Sequence, residues 1–379
     1  LFRAAVFGVL ASVMMVSAGQ AADFTFHGAS QFDEEHAFTR LMRKFEELVQ
    51  LYYTGDKTIE FVMHLNSELG LEKDYVAYMN QGISVDYAVA SPSHMSTFSK
   101  MASLMDPPML YQNHIHWSKV LGGDALKPIV DDILKRADVR IIGYGGGGTR
   151  MLIVNKPVET MEDIKDVPIR VMGAPIQTKM FTAFGMAPTV IAYAEVYNAI
   201  QTGVIDAAEN EAAGIQQMKF YEVGPNIGLT AHAITVRPLC FSNKTFMKLP
   251  EDLQAAILQA GKDAGTYGRI LESSEDKMKM AQMEKEGKLK TIYFKDRDSR
   301  FLRISRAQAD KFNLASPEEA RISAQVTRPF PPTQRRMPVP RKSQNSPLVT
   351  RIRSCFRCAQ PSRMAAATIT RMDLARPSH

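Results

Sequence analysis

The chain has 379 residues, 45% of them hydrophobic and 23% charged, with a formal net charge of +6. That is enough for one large domain or two medium ones, each with its own core. It is too apolar to be disordered throughout, and three cysteines cannot build a disulfide scaffold. The charge is uneven: residues 291–379 carry 18 Lys and Arg against 6 Asp and Glu, leaving 28 against 34 in residues 1–290. The basic balance therefore belongs to the last quarter of the chain and is no argument for nucleic acid as a partner.

The start combines Arg3, the apolar run Ala4–Val16 and small residues through Gly19, Ala21 and Ala22. The run is shorter than the roughly 20 residues of a spanning helix and matches a secretory signal, with cleavage expected after Ala21 or Ala22. Export without a later membrane segment implies the periplasm or the exterior. Residues 23–290 then alternate strand-like and helix-like segments. Strands are expected over Phe24–Ala29, Ile59–Leu65, Val85–Ala90 and Val139–Tyr144, and helices over Glu34–Leu51, Leu71–Gln81 and Asp124–Arg136. A second set follows: strands at Met151–Val154 and Ile169–Met172, helices at Ile176–Phe184 and Ala194–Gln201, and a short strand end at Ala207–Asn210. Such alternation predicts an α/β protein with parallel strands. Pro238 makes Thr235–Phe241 read as a crossing segment rather than a central strand. Pro250–Lys285 reads as one helix of roughly 50 Å, long enough to cross two lobes. From Arg321 onward there are 11 Arg, one Lys, one acid and eight prolines, and no helical or strand period survives. This tail reads better as chance sequence than as an evolved binding segment, although a disordered basic extension with an acidic partner is the competing reading. The CxxC of Cys355 and Cys358 lacks a second ligand pair and receives no function.

Few motifs carry chemistry. Gly143–Gly148 contains a G-x-G-x-x-G after a strand, but Thr149–Asn155 continues extended where a dinucleotide site needs a helix to start. The glycines are expected to form a flexible or tightly turned crossover between lobes. His114 and His116 would share one face of a strand, yet no third metal ligand is evident, so a surface or supporting role is expected and no metal or other cofactor is predicted. No G-x-S-x-G elbow exists, and Cys240 lies in an apolar segment as a core thiol would. Arg170 stands out, in the apolar strand Pro168-Ile169-Arg170-Val171-Met172. Burying it requires an anionic partner: either a structural carboxylate or a ligand carboxylate held by two parallel hydrogen bonds.

Arg150, Asn155-Lys156-Pro157-Val158, Ile169-Arg170-Val171, Ala194–Asn210, Lys219–Val223 and Leu249–Gln254 occur in order. Together they resemble the DctP-type substrate-binding proteins of TRAP transporters over about Asp23–Ala320. The resemblance implies a two-lobed periplasmic-binding-protein-like α/β fold with a hinge and a long helix spanning both lobes. Lobe I would be residues 22–147 plus about 236–275, and lobe II residues 148–235 plus about 276–320. It implies a receptor, not an enzyme, with Arg170 binding the carboxylate of a small organic acid, Arg150 and Asn210 holding further ligand oxygens, and Tyr193 packing the carbon skeleton. Ser91, His94, Ser30 and His36 fall at further pocket positions. The implied partners are the small and large TRAP membrane subunits, with no nucleic acid. A secreted α/β enzyme acting on an organic acid, or a basic interaction protein acting through the tail, are the alternatives.

Overall fold

A computed structural model describes residues 22–301 together with 303, 304 and 307. The expected signal segment and the basic tail lie outside the described residues. In chain order the first elements are β1 (Phe24–Ala29), α1 (Ala37–Tyr52), β2 (Ile59–His64), α2 (Glu72–Gln81), β3 (Tyr87–Val89), α3 (Pro92–Met95), α4 (His114–Leu121), α5 (Lys127–Ala137) and β4 (Val139–Val154). Then come β5 (Pro168–Val171), α6 (Pro175–Ala183), β6 (Ala187–Val190), α7 (Val196–Gln201), β7 (Ala207–Asn210), α8 (Ala212–Gln217), β8 (Asn226–Ser242), α9 (Asn243–Phe246), α10 (Glu251–Lys285) and β9 (Lys290–Ile292). Local chemistry accounts for the boundaries. Leu41, Met42, Phe45 and Val49 recur at helical spacing along the buried face of α1, and Pro250, which cannot continue a helix inward, caps α10.

The nine strands form one sheet in the order β2-β1-β3-β8-β4-β7-β5-β6, with β9 beside β8. The sheet is mixed rather than parallel. The β1/β2, β1/β3, β5/β6, β5/β7 and β8/β9 pairs are parallel, and β4 runs antiparallel to β7 and β8, as β3 does to β8. The expectation failed because the alternating pattern reports βαβ units only within each half. The long β4 and β8 return between halves without a helix.

The buried apolar residues fall into four clusters. Two bring together residues 26–142 and 234–271, and two bring together residues 152–227 and 283–301. Three elements pass through both pairs. β4 supplies Val139 to one and Leu152 to another, β8 supplies Phe241 and Ile227, and α10 supplies Leu253 and Met283.

Two other expectations change. The glycine run is not a turn but part of β4, with register shifts against β8 on either side of Gly143–Gly146. Two of its glycines are explained by close approach: a Cβ on Gly143 would sit 2.7 Å from the carbonyl carbon of Gly261 on α10, and one on Gly146 would sit 2.9 Å from the carbonyl carbon of Thr235 on β8. Gly147, at φ +119, also occupies a backbone region that side chains rarely adopt. Thr235–Phe241 belongs to a central strand, because Pro238 stands opposite Tyr144 just beyond a register shift, where the irregular ladder tolerates a missing N–H.

His114 and His116 lie on α4, not on a strand, so a spacing of two turns them to different faces. His114 Nε2 shares a hydrogen bond with the Gly147 carbonyl at 2.8 Å.

Candidate functional site: a pocket built around Arg170

The C-terminal ends of β5 and β7, the middle of β4 and β8, and the N-terminal ends of α2 and α3 converge on one pocket. Six of the eight residues singled out from sequence line it: Arg170, Arg150, Asn210, Tyr193, Ser91 and His94.

Arg170 is 3% exposed. Its Nε donates to the Ile191 carbonyl at 3.0 Å, and its guanidinium lies 5.4 Å from the centre of the Tyr193 ring. No carboxylate among the described residues lies within 4.0 Å of it. Burial lowers its pKa despite the more distant Glu209; with an ordinary value above 12 it stays charged. The backbone bond at Nε fixes the plane of the fork, leaving both Nη groups directed away from that tether.

Arg150 is in the opposite condition. Nε pairs with Glu209 Oε2, Nη2 donates to Glu209 Oε1 and to the Glu209 carbonyl, both at 2.8 Å, and Nη1 donates to Asn210 Oδ1 at 2.9 Å and Glu211 Oε2 at 2.5 Å. These bonds use all five of its N–H donors. Arg150 lines the pocket but in this geometry has no donor to spare for the ligand oxygens expected from sequence; its bonds go to internal partners, among them Asn210, which it orients. Burial works against ionisation of Glu209, but Arg150 and hydrogen bonds from His232 and Arg150 hold its carboxyl down at about 2. His232 Nε2 stands 3.1 Å from Glu209, and burial lowers its own pKa.

Asn210 Nδ2 donates to Tyr193 Oη at 2.7 Å. Burial raises the Tyr193 pKa, so the phenol keeps its proton and can donate it into the pocket. Tyr193 meets Phe32 edge-on at 6.1 Å, and the two rings supply apolar wall. Ser91 caps α3, and its amide donates to Glu72 Oε2 at 2.6 Å. Gln31 Nε2 reaches the other Glu72 oxygen at 3.3 Å. Burial raises the Glu72 pKa. Burial, then the charges of Arg170 and Arg237, push His94 down to about 3, so it is a neutral imidazole at physiological pH.

Ser30 and His36 do not line the pocket. Ser30 Oγ shares a hydrogen bond with Thr39 Oγ1 at 2.9 Å and accepts the Phe32 amide. His36 Nδ1 accepts the Phe38 amide at the start of α1, and its ring stacks on Phe32 at 3.7 Å between centroids. Both hold Phe32 and Phe38 from behind, because the loop after β1 folds its hydrophilic side chains back onto the α1 N-terminus. Sequence reasoning missed Arg237, Glu72 and Glu211. Arg237 had the same signal as Arg170, an arginine inside an apolar strand (Thr235-Val236-Arg237-Pro238-Leu239), but the two glutamates carry none.

Residues 29–305 match the family described as bacterial extracellular solute-binding protein, family 7 (DctP). The chain belongs to this family. A solute-binding protein of Sulfitobacter sp. strain NAS-14.1 is 52% identical over 291 residues, 77% of this chain and 88% of the relative. The crystal structure of a TRAP periplasmic solute-binding protein from Sulfitobacter sp., with bound α-D-taluronate, superposes with a TM-score of 0.78 at 50% identity. It covers 80% of this chain and 97% of that one. A TRAP periplasmic solute-binding protein from Roseobacter denitrificans, with bound L-galactonate, gives a TM-score of 0.73 at 27% identity, covering 81% and 99%. This DctP protein thus has the two-lobed α/β fold of the TRAP receptors and is a solute-binding protein of their family.

Proposed function

We propose that this DctP receptor binds a sugar acid of the uronate or aldonate class, with Arg170 gripping the carboxylate through its two Nη groups. One observation carries the reading: a buried guanidinium, tethered at Nε by the Ile191 carbonyl, that opens on a pocket and has no carboxylate within ion-pair distance among the described residues. Such a group demands an anion, and a bidentate pair in a desolvated cleft is the strong form of that interaction. The rest of the wall suits a polyhydroxylated carbon skeleton. Phe32, Phe38 and Tyr193 offer faces for C–H groups, while Glu72, Glu211, Asn210 and the Tyr193 hydroxyl offer acceptors and donors. The sugar acids bound by the Sulfitobacter and Roseobacter proteins support the class.

Lobe I is assigned to residues 22–147 plus about 236–275 and lobe II to 148–235 plus about 276–320, in keeping with the two pairs of core clusters. Closure around the acid would present a surface to a small and a large membrane subunit. The chain would reach the periplasm by a signal cleaved near Ala21–Ala22, and residues 321–379 would take no part in binding.

Titration calorimetry with D-galacturonate and with D-galactose separates charge recognition from sugar recognition. Galacturonate binding that is absent for galactose, and lost in Arg170→Gln, is the expected result. Unchanged affinity in that variant refutes the mechanism.

A further inference from the structure

Three guanidinium groups reach the pocket wall, and the reading above uses Arg170 for the carboxylate and Arg150 for positioning. Arg237 remains. It is 3% exposed, stands on β8 and lies 5.2 Å from the centre of the Phe38 ring. It therefore belongs to the half of the protein opposite Arg170, whose neighbours Ile169 and Val171 sit in another core. Its hydrogen bonding is thin. Nη1 donates to the Val236 carbonyl at 3.1 Å, and Nε is buried with no acceptor. Its two nearest carboxylate oxygens, Asp106 Oδ2 and Glu211 Oε2, are each 3.6 Å away, close enough to balance its charge but beyond hydrogen-bond reach. Glu211 is half-engaged: Oε2 accepts from Arg150 at 2.5 Å, while Oε1 has no donor among the described residues.

A guanidinium with unbalanced charge would call for a second ligand carboxylate. A charge-balanced one with unspent donors, beside a carboxylate with an unspent acceptor, calls for a group that both accepts and donates. That group is a hydroxyl. We propose that Arg237 and Glu211 form a hydroxyl-reading pair, Arg237 donating to a ligand oxygen while the same hydroxyl or its neighbour donates to Glu211. The pair makes the receptor selective for polyhydroxylated monocarboxylates over hydroxyl-poor acids and over dicarboxylates. The inference rests on the sugar-acid reading and adds a determinant from the lobe that Arg170 does not belong to.

The test is calorimetry on the full chain and its R170Q, R237Q and R237K variants, with D-galacturonate, the C6 dicarboxylate galactarate and succinate as probes, and far-UV circular dichroism melts of each protein. The wild type is expected to bind galacturonate at least about tenfold more tightly than galactarate or succinate. R237Q is expected to weaken galacturonate by about 30-fold or more, as loss of hydrogen bonds from a charged donor does. R237K, which keeps the ion pairs and folds where R237Q does not, is expected to lose about tenfold because an ammonium lacks the planar fork. Galacturonate affinity of R237K within threefold of the wild type overturns the proposal, as does a wild-type preference for galactarate, which would assign Arg237 to a second carboxylate. If R170Q abolishes galacturonate binding while R237K leaves it intact, this inference alone fails. A wild type that binds succinate and neither sugar acid sinks the sugar-acid reading and this proposal together.

Discussion

Gly265 measures how closely α10 is laid on β4. A methyl group there would stand 2.6 Å from the Tyr144 amide nitrogen and 2.8 Å from its carbonyl oxygen, against the roughly 3.5–4.0 Å of a relaxed contact. The helix would have to retreat by about 1 Å, because the obstructing atoms are backbone of β4, held opposite Pro238 of β8, and cannot rotate away as a side chain can. Overpacking of this kind costs about 1–3 kcal/mol, here at the upper end, because retreat also loosens the row from Leu253 to Leu271. Replacing glycine by alanine in a helix returns about 1 kcal/mol. Gly265→Ala is thus expected to be less stable than wild type by about 2 kcal/mol, a fall in Tm of about 4–8 °C for a domain of this size. Gly268 supplies the comparison on the same helix: there the added methyl meets the buried Leu41 side chain, at Cδ1 and at Cγ 2.9 Å away, a group that can repack where backbone cannot. Gly268→Ala receives the same propensity gain and is expected to lose less stability than Gly265→Ala. Urea unfolding followed by circular dichroism measures both. A Gly265→Ala protein as stable as the wild type, or a Gly268→Ala protein that suffers more, refutes the backbone-contact account.

Glu209→Gln removes the charge facing Arg150 and is expected to cost about 3–5 kcal/mol in unfolding free energy, the penalty for leaving one member of a buried pair. Because the Glu209 carboxyl is held down at about 2, its contribution is present above the ordinary carboxylate range and is lost as the pH falls from about 4.5 towards 2. Melts across that window should therefore flatten in Glu209→Gln. Glu272 has the reverse sign: burial and the nearby Glu211 raise its pKa to about 7, so the folded protein keeps a proton that the unfolded chain has released. Its linkage makes stability decline as the pH rises from about 4.5 to 7, and Glu272→Gln, which preserves an acceptor for the Gly148 amide and the Thr235 hydroxyl, should remove that decline in melts at pH 5 and 7.5. A chain ended after residue 320 is expected to bind galacturonate as the full chain does; calorimetry showing weaker binding would give the basic tail a role.

Most of the element order was legible because each half alternates strand and helix with clear apolar periods, as in α1 and β1. The connection between halves was not. A glycine run and an internal proline read as local breaks, whereas here both sit inside long strands, tolerated because neighbouring backbone fills the space beside Gly143 and Gly146 and a register shift lies next to the proline. The same limit applies to the site. Arg170 could be singled out because an arginine in an apolar strand needs an anion wherever the chain goes. That rule does not say whether the anion is internal, and Arg150 shows the internal answer: its partners Glu209 and Glu211 follow each other closely on β7 and the start of α8, indistinguishable in sequence from solvated carboxylates. Ser30 and His36 were misplaced for a related reason, since a loop's position near a pocket does not reveal which way its side chains turn.

Neither half of this protein is a continuous stretch of polypeptide. Phe26 and Phe45 share a cluster with Leu253 and Ile257, so the earliest strand to emerge waits for nearly the last helix before its apolar face is covered. Non-local closure of this kind is slow to nucleate and leaves sticky surface open in the meantime. The topology therefore makes a truncation before α10 fatal to both halves at once rather than to one.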